Sequence, residues 1–271
     1  MNRKVNSLER KKIQIIDIID SNNLYKLKNY IKEINISLKE LNNNNFDLLI
    51  YAIEHFASID IIDFIIKQCQ YETLNYSIYD YTDRKIYYNN GYSQESYYGI
   101  FKVPLFSSIS INNFKVANLL IKNCADINFI IDNFYVIRSN FKKEFCFGDI
   151  VHYLNIFNLL QSDNLKYILN KGFNINIVNT GIISELINDK MENQLSLINT
   201  IFKHYIFDND FILKLLHIYK NSQSLSVKQL RNIIFTEKRK IEIKDSYYNK
   251  ELCKKDNEVL KLLMNYDSRI Q

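Results

Sequence analysis

The side chains best suited to catalysis or metal binding are four histidines and four cysteines, and their spacing forms no local motif. A zinc protease places its ligands as H-E-x-x-H, and structural zinc sites use C-x-x-C pairs. Here His55 follows Glu54 with no second histidine nearby, and the cysteines lie far apart in the sequence. The residues concerned are His55, His152, His204, His217, Cys69, Cys124, Cys146 and Cys253.

The five glycines form neither a phosphate-binding loop nor a G-x-S-x-G nucleophile motif. We therefore expect no catalytic residue, no bound metal and no cofactor, and we predict that the protein is not an enzyme. A cysteine–histidine pair assembled only in space stays an open alternative, because nothing local in the sequence indicates it.

Aromatic residues are the second group suited to a function. The chain has 20 tyrosines and 17 phenylalanines, and many crowd into residues 71–99 and 129–149. Tyrosine offers a broad contact area and a hydroxyl group at small entropic cost, and Asn90-Gly91 predicts a β-hairpin turn. We predict a partner-binding edge formed by Tyr87, Tyr88, Tyr92, Tyr97, Tyr98, Phe134 and Tyr135. Two alternatives stay open: these segments fold back over the protein as lids, or they are disordered.

An apolar pattern recurs along the chain and predicts the elements that carry these segments. The pattern apolar–x–x–apolar–apolar begins at Leu27, Ile61, Ala117, Leu165, Ile198, Leu230 and Val259. The steps between these positions are 34, 56, 48, 33, 32 and 29 residues, and a period of about 33 residues is typical of helix-pair repeats. The two long steps indicate one period plus an insertion each, after the second and the third repeat.

A shorter apolar segment precedes most of these patterns and predicts the first helix of each pair. Asparagine in the connecting turns, at 21–23, 112–113 and 162–164, tolerates left-handed backbone geometry. Pro104 suits the first turn of its helix. The predicted first helices contain Ile15–Ile19, Leu48–Ile53, Leu105–Ile109, Ile156–Leu160, Ile182–Ile187 and Phe211–Leu216.

The stretch "VPLFSSISINNFKVANLLIKNCADIN", residues 103–128, resembles the ankyrin-repeat family, whose consensus is T-P-L-H-x-A-A-x-x-G-x-x-x-x-V-x-x-L-L-x-x-G-A-D-x-N. "LKYILNKGFNIN", residues 165–176, is a looser match, with Gly172 at the family's glycine. Phe106 and Cys124 depart from the family's histidine and loop glycine. The residues that carry the resemblance in residues 103–128 are Pro104, Leu105, Leu120, Ile121, Ala125, Asp126 and Asn128.

The resemblance implies an all-α, ankyrin-type helix-pair solenoid of about seven repeats. A single array would span residues 1–271, with enlarged inter-repeat loops at about 71–99 and 129–149. It also implies recognition of a partner through loop tips and through the concave face lined by first helices. A generic helix-pair solenoid is the competing architecture.

Charge and composition leave a binding function as the main expectation. The net charge is +5, but the basic residues are interspersed with acidic ones rather than concentrated in a stripe. We expect an interaction module, a scaffold or adaptor, whose partner is another protein and not a membrane. The alternative is a nucleic-acid binder that uses Lys85, Lys102, Lys142 and Lys143. A scaffold segment with no ligand of its own is a third reading.

Location and oligomeric state are expected from what the sequence lacks. It shows no signal peptide, no apolar run long enough to span a membrane and no disulfide framework. We therefore expect a monomeric cytoplasmic protein, and a nuclear location is compatible with the same features.

Overall fold

The computed structural model describes residues 2–89, 92–138, 141–144 and 148–175, together with Leu197 and Thr200. Side chains are described for residues 8–80, 100–135 and 148–175 and for the same two single residues. The chain divides into two compact units, Met1–Leu159 and Leu160–Gln271. Most of the described chain is helical, and the helices are α1 (Asn2–Asp20), α2 (Leu24–Ile34), α3 (Leu48–Glu54), α4 (Ile59–Cys69), α5 (Pro104–Ser110), α6 (Phe114–Lys122), α7 (Ile150–Ile156) and α8 (Ser162–Asn170).

The helices of the first unit form antiparallel pairs, α1 with α2, α3 with α4, and α5 with α6. Equivalent helices of successive pairs also pack together: α3 contacts α5, α5 contacts α7, and α4 contacts α6. The mostly helical class that the sequence predicted is confirmed. The patterns that begin at Leu27, Ile61 and Ala117 lie in the second helices of these pairs, as expected, and the pattern that begins at Leu165 lies in α8.

One predicted first helix is wrong in its position. The apolar pattern predicts it at Ile156–Leu160, whereas α7 begins directly after Asp149 and ends at Ile156. Asp149 explains the difference, because its side chain accepts hydrogen bonds from the backbone N–H groups of Val151 and His152 and so begins the helix earlier. The predicted segments 182–187 and 211–216 lie outside the described residues.

The turns that end the first helices share one geometry. Asn112 has a φ of 56°, its N–H donates to the carbonyl of Ile109 at 3.0 Å, and the next N–H donates to the carbonyl of Ser108 at 2.9 Å. This Schellman pattern requires a left-handed residue, which asparagine tolerates. The same bonds recur around three further left-handed residues, Asn22, Phe56 and Asn158.

Asparagine therefore sits in the left-handed position in two of the three turns that the sequence predicted, at 21–23 and 112–113. The third was wrong, because residues 162–164 begin α8 and Asn158 makes the turn instead. The steps between the four left-handed residues are 34, 56 and 46 residues. They follow the predicted repeat spacing closely.

Close packing between the helices depends on small residues as well as large ones. Ala52 and Ser108 are both completely buried, and the Ser108 hydroxyl donates to the carbonyl of Leu105 at 2.7 Å. Pro104 occupies the first turn of α5, as predicted. Besides Ala52, the apolar side chains with no exposure in the described part of the first unit are Ile15, Ile19, Leu27, Leu48, Leu49, Ile53, Ile61, Ile62, Ile65, Phe106, Ile109, Ala117, Leu120, Ile150, Val151 and Leu154.

The two insertions form a sheet that the all-α prediction did not include. Its strands are β1 (Ile78–Asn89), β2 (Tyr92–Lys102), β3 (Tyr135–Arg138) and β4 (Phe141–Glu144), in the order β1-β2-β3-β4. All neighbours are antiparallel, and Gly99 opposite Ile137 joins the first hairpin to the second. The hairpin expected from Asn90-Gly91 is present in the pairing of β1 with β2, although these two turn residues lie outside the described residues.

Within the described residues, no helix combines the length and the apolar character that crossing a bilayer requires.

Candidate interaction surface

The predicted tyrosines lie in the first hairpin, two in β1 and three in β2. Successive residues of a strand point to opposite faces, and residues paired across strands share a face. The register of β1 and β2 therefore puts Tyr87, Tyr92 and Tyr98 on one face of the hairpin. It puts Tyr88 and Tyr97 on the other. The five residues that the sequence grouped into one edge are divided between two faces.

The two predicted residues of the second insertion are placed differently. Phe134 is 1% exposed, and its ring lies 5.8 Å from that of Phe101 and 6.2 Å from that of Tyr153. A side chain so buried belongs to the core, so assigning Phe134 to an exposed edge does not fit the structure. Tyr135 is partly exposed and packs on Tyr79 and Phe101, with ring centroids 4.9 Å and 5.1 Å away.

These aromatic rings form a packed base at the foot of the sheet. Tyr79 of β1 meets Phe101 of β2 in an edge-to-face arrangement at 4.8 Å, and Tyr135 of β3 contacts both. Edge-to-face pairs contribute about 0.5–1.5 kcal/mol beyond the area that they bury. Three strands are therefore joined by side chains at the point where the sheet meets the helices.

Lys102, at the end of β2, connects the same foot to the helices. Its Nζ lies 2.8 Å from Oε2 of Glu54 in α3 and 2.7 Å from Oδ2 of Asp80 in β1. The second oxygen of Glu54 accepts a hydrogen bond from the Ser107 hydroxyl of α5 at 3.0 Å. Three elements thus meet through one amine, and α5 joins them through Glu54. We call Lys102, Glu54, Asp80 and Ser107 the anchor cluster.

The pKa of Lys102 in the anchor cluster depends on its burial and on its two carboxylate partners. Desolvation lowers the pKa of Lys102, but the hydrogen bonds and charges of Asp80 and Glu54 raise it by more, so the net pKa lies above the ordinary value of 10.5. The amine therefore stays protonated and paired. Lys102 was also one of the lysines considered for nucleic-acid contact, and its charge is shared between two carboxylates instead.

A second polar cluster holds the beginning of the first insertion. Asp47 is 4% exposed and caps α3 by accepting the N–H of Ile50 at 2.9 Å. Its other oxygen accepts from the Tyr71 hydroxyl at 3.0 Å and from the Asn42 amide at 2.8 Å. Burial raises the pKa of Asp47, and the hydrogen bonds that it accepts oppose this shift only in part. The ring of Tyr76 stacks on that of Tyr71 at 5.5 Å.

Asn75 makes a third attachment, to the loop after α6. Its side-chain oxygen accepts the N–H of Asp126 at 2.7 Å, and its amide donates to the carbonyl of Cys124 at 3.4 Å. The first insertion is thus held to the rest of the unit at Tyr71, Asn75 and Lys102. No local pattern indicates these contacts, because the partners lie 24 to 51 residues apart.

The face made by the first helices is open only in part. Residues Pro104–Ile109 of α5 are all buried, so this helix offers no side chain to a partner except Ser110. On α3, Tyr51, Glu54 and His55 are at least partly exposed. Recognition through this face, which the ankyrin resemblance implied, therefore has room at α1 and α3 but not at α5.

The histidines and cysteines of the described residues form no group of three or more potential metal ligands. His152 is 7% exposed, and its Nδ1 contacts Oδ2 of Asp149 in the core. Cys69 is buried and Cys124 exposed, and both are free thiols; burial raises the pKa of Cys69 to about 12, which keeps it protonated. The remaining candidates, His204, His217, Cys146 and Cys253, lie outside the described residues.

No protein-family model matches the chain, and no curated protein matches it in sequence. The ankyrin resemblance rests on the residues quoted above.

Proposed function

We propose that the protein is an interaction module, an ankyrin-type array of about seven helix pairs that presents the sheet of its two insertions to a partner protein. The array is supported by the recurring Schellman turns and by the packing of equivalent helices in successive pairs. A repeat array suits this role because its surface is formed before the partner arrives.

One observation carries the proposal: the foot of the tyrosine-rich sheet is fixed to the helices by the anchor cluster and by packed aromatic rings. A surface that is ordered in advance loses little conformational entropy on association. An insertion that served only as a flexible connection would need neither contact.

The division of the tyrosines between two faces makes the test specific. Full-length protein is used to capture partners from an extract of its source cells, and two variants are compared with it. Y87A/Y92A/Y98A removes the tyrosines of one face, and Y88A/Y97A removes those of the other. We expect one variant to lose the captured protein and the other to keep it, because a partner approaches a hairpin from one side.

Tyr25 supplies the matched control, since it is 77% exposed on α2 and far from the insertions in sequence. Y25A should capture the same protein as the unaltered chain. Capture that is unchanged in both face variants, or lost equally in Y25A, would contradict the proposal. Circular dichroism of each variant shows whether the helices are intact.

A further inference from the structure

A row of aromatic rings lies on α3 and on the residues that flank it. The Phe46 ring is 5.9 Å from that of Tyr51, which stacks on His55 at 3.8 Å. Phe56 follows in the turn and is 64% exposed. The turn containing Phe56 is joined to the end of α1 by Asn22, whose side-chain oxygen accepts the N–H of Ser58 at 2.6 Å.

Carboxylates from α1 border this row. Asp20 accepts the Tyr51 hydroxyl at 2.9 Å and lies 3.3 Å from Nδ1 of His55. Burial raises the pKa of Tyr51 to about 12, and the hydrogen bond to Asp20 and the charges of Asp20 and Asp17 contribute. Two carboxylates therefore lie beside the aromatic row, although the whole chain carries a net charge of +5. We call Phe46, Tyr51, His55, Phe56, Asp17 and Asp20 the α1–α3 surface.

The charges at the ends of these helices are opposite to what helix stability favours. The C-terminus of a helix carries a partial negative charge, which cations stabilise and carboxylates oppose. The helices α2, α4 and α6 follow this rule with Lys32, Lys67 and Lys122 in their last turns. By contrast, α1 and α3 have no basic residue there, as is also true of α5, α7 and α8, and α1 ends with Asp17 and Asp20.

The chain itself already places one cation on this row. The Nζ of Lys12 lies 3.6 Å from the centroid of the Phe46 ring, a cation–π contact at one end. At the other end, the exposed ring of Phe56 and the carboxylate of Asp20, which is 43% exposed, remain accessible to solvent. A guanidinium group suits both of these groups, because it stacks on aromatic rings and pairs with carboxylates.

We propose that the α1–α3 surface binds an arginine-bearing, positively charged segment of a partner protein. The charge of this surface, its exposed aromatic ring and its helix C-termini all favour a cation. The proposal concerns different residues from the tyrosine-rich sheet, and it stands or fails independently of the proposed function.

The test uses a fluorescence-labelled hexa-arginine peptide and the full-length protein, with affinity measured by anisotropy at low and high salt. The net charge of +5 repels this peptide in general, so binding reports a local negative surface. We expect D17N/D20N to weaken the affinity roughly tenfold at low salt and the difference to shrink at high salt. The control D60N/D63N removes the same charge from α4 and should leave the affinity nearly unchanged.

A substitution of Phe56 distinguishes an effect on binding from an effect on stability. Its φ of 56° is unfavourable for a bulky side chain and is well tolerated by asparagine. F56N should therefore raise the melting temperature while weakening hexa-arginine binding several-fold, an outcome that structural damage would not produce. Equal affinities of the unaltered chain and D17N/D20N, or an equal loss in D60N/D63N, would overturn the proposal.

Discussion

Replacing Lys102 by methionine should release the foot of the sheet from the helices. Methionine keeps an unbranched, largely apolar stem that is one atom shorter, and it removes the charged amine together with its hydrogen-bond donors. Asp80, whose side chain is 8% exposed, would then be buried without a cation. Glu54 is 30% exposed and keeps its bond to Ser107, so it would lose less.

The expected cost lies between two limits. Stranding a fully buried charge costs about 3–5 kcal/mol, whereas an exposed ion pair contributes about 0–1 kcal/mol. Because one carboxylate is buried and the other is partly exposed, we expect K102M to lower the free energy of unfolding by about 2–3 kcal/mol. The double variant K102M/D80N should recover roughly 1–2 kcal/mol, because an amide carries no charge that needs a partner.

Amide hydrogen exchange is the suitable assay, because a chain of two compact units need not unfold in one transition. Exchange in K102M should accelerate at Ile78–Asp80 and Ile100–Lys102 and much less in α4 or α6, and the accelerated exchange should partly reverse in K102M/D80N. Unchanged exchange at the foot of the sheet in K102M would refute the reasoning. Equal acceleration everywhere would show that Lys102 supports the whole unit and not this attachment.

Three further substitutions and one pH titration also test the structure. L120A should lower stability by about 2–5 kcal/mol, because Leu120 has no exposure and leaves a cavity between the helices, and a thermal melt checks this. D47A should lower it by about 2–3 kcal/mol in urea titration, since the cap of α3 and the partner of Tyr71 are both lost. F56N should raise it by about 1 kcal/mol in the same titration. The pKa of Lys102 in the folded protein lies above the ordinary value of 10.5, so the stabilisation by its ion pairs is fully present below pH 10.5 and is lost as the pH rises through the folded-state pKa. The difference in unfolding free energy between the unaltered chain and K102M should therefore shrink in strongly alkaline solution.

The helix pairs of the first unit could be predicted from local pattern and turn chemistry. Apolar spacing located α2, α4, α6 and α8, and asparagine located two of the turns because left-handed geometry restricts residue type strongly. Phe56 shows the limit of that rule, since nothing in its residue type indicates a left-handed turn. The predicted ends of the two insertions are close to those in the structure. The second was predicted to end at residue 149, which is the N-cap of α7, and the first at residue 99, whereas its second strand ends at Lys102.

The contacts that organise the candidate surface could not be read from the sequence. Lys102 pairs with carboxylates 48 and 22 residues earlier in the chain, Glu54 and Asp80, and no local pattern links them. Phe134 was assigned to the edge because it lies in an insertion rich in aromatic residues, whereas its burial depends on tertiary packing. The division of the tyrosines between two faces follows from strand register, which composition does not reveal.

Shortening the hairpin tests the central claim most directly. Asp80 pairs with Ile100, so an Asn-Gly turn replacing residues 81–99 would close the hairpin just above the anchor cluster. The shortened protein should keep its helical circular dichroism and its melting temperature within a few degrees, and it should no longer capture the protein that the full chain captures. Capture that survives the shortening would contradict the claim that the sheet recognises the partner, and loss of the helical fold would show that the hairpin serves the helices instead.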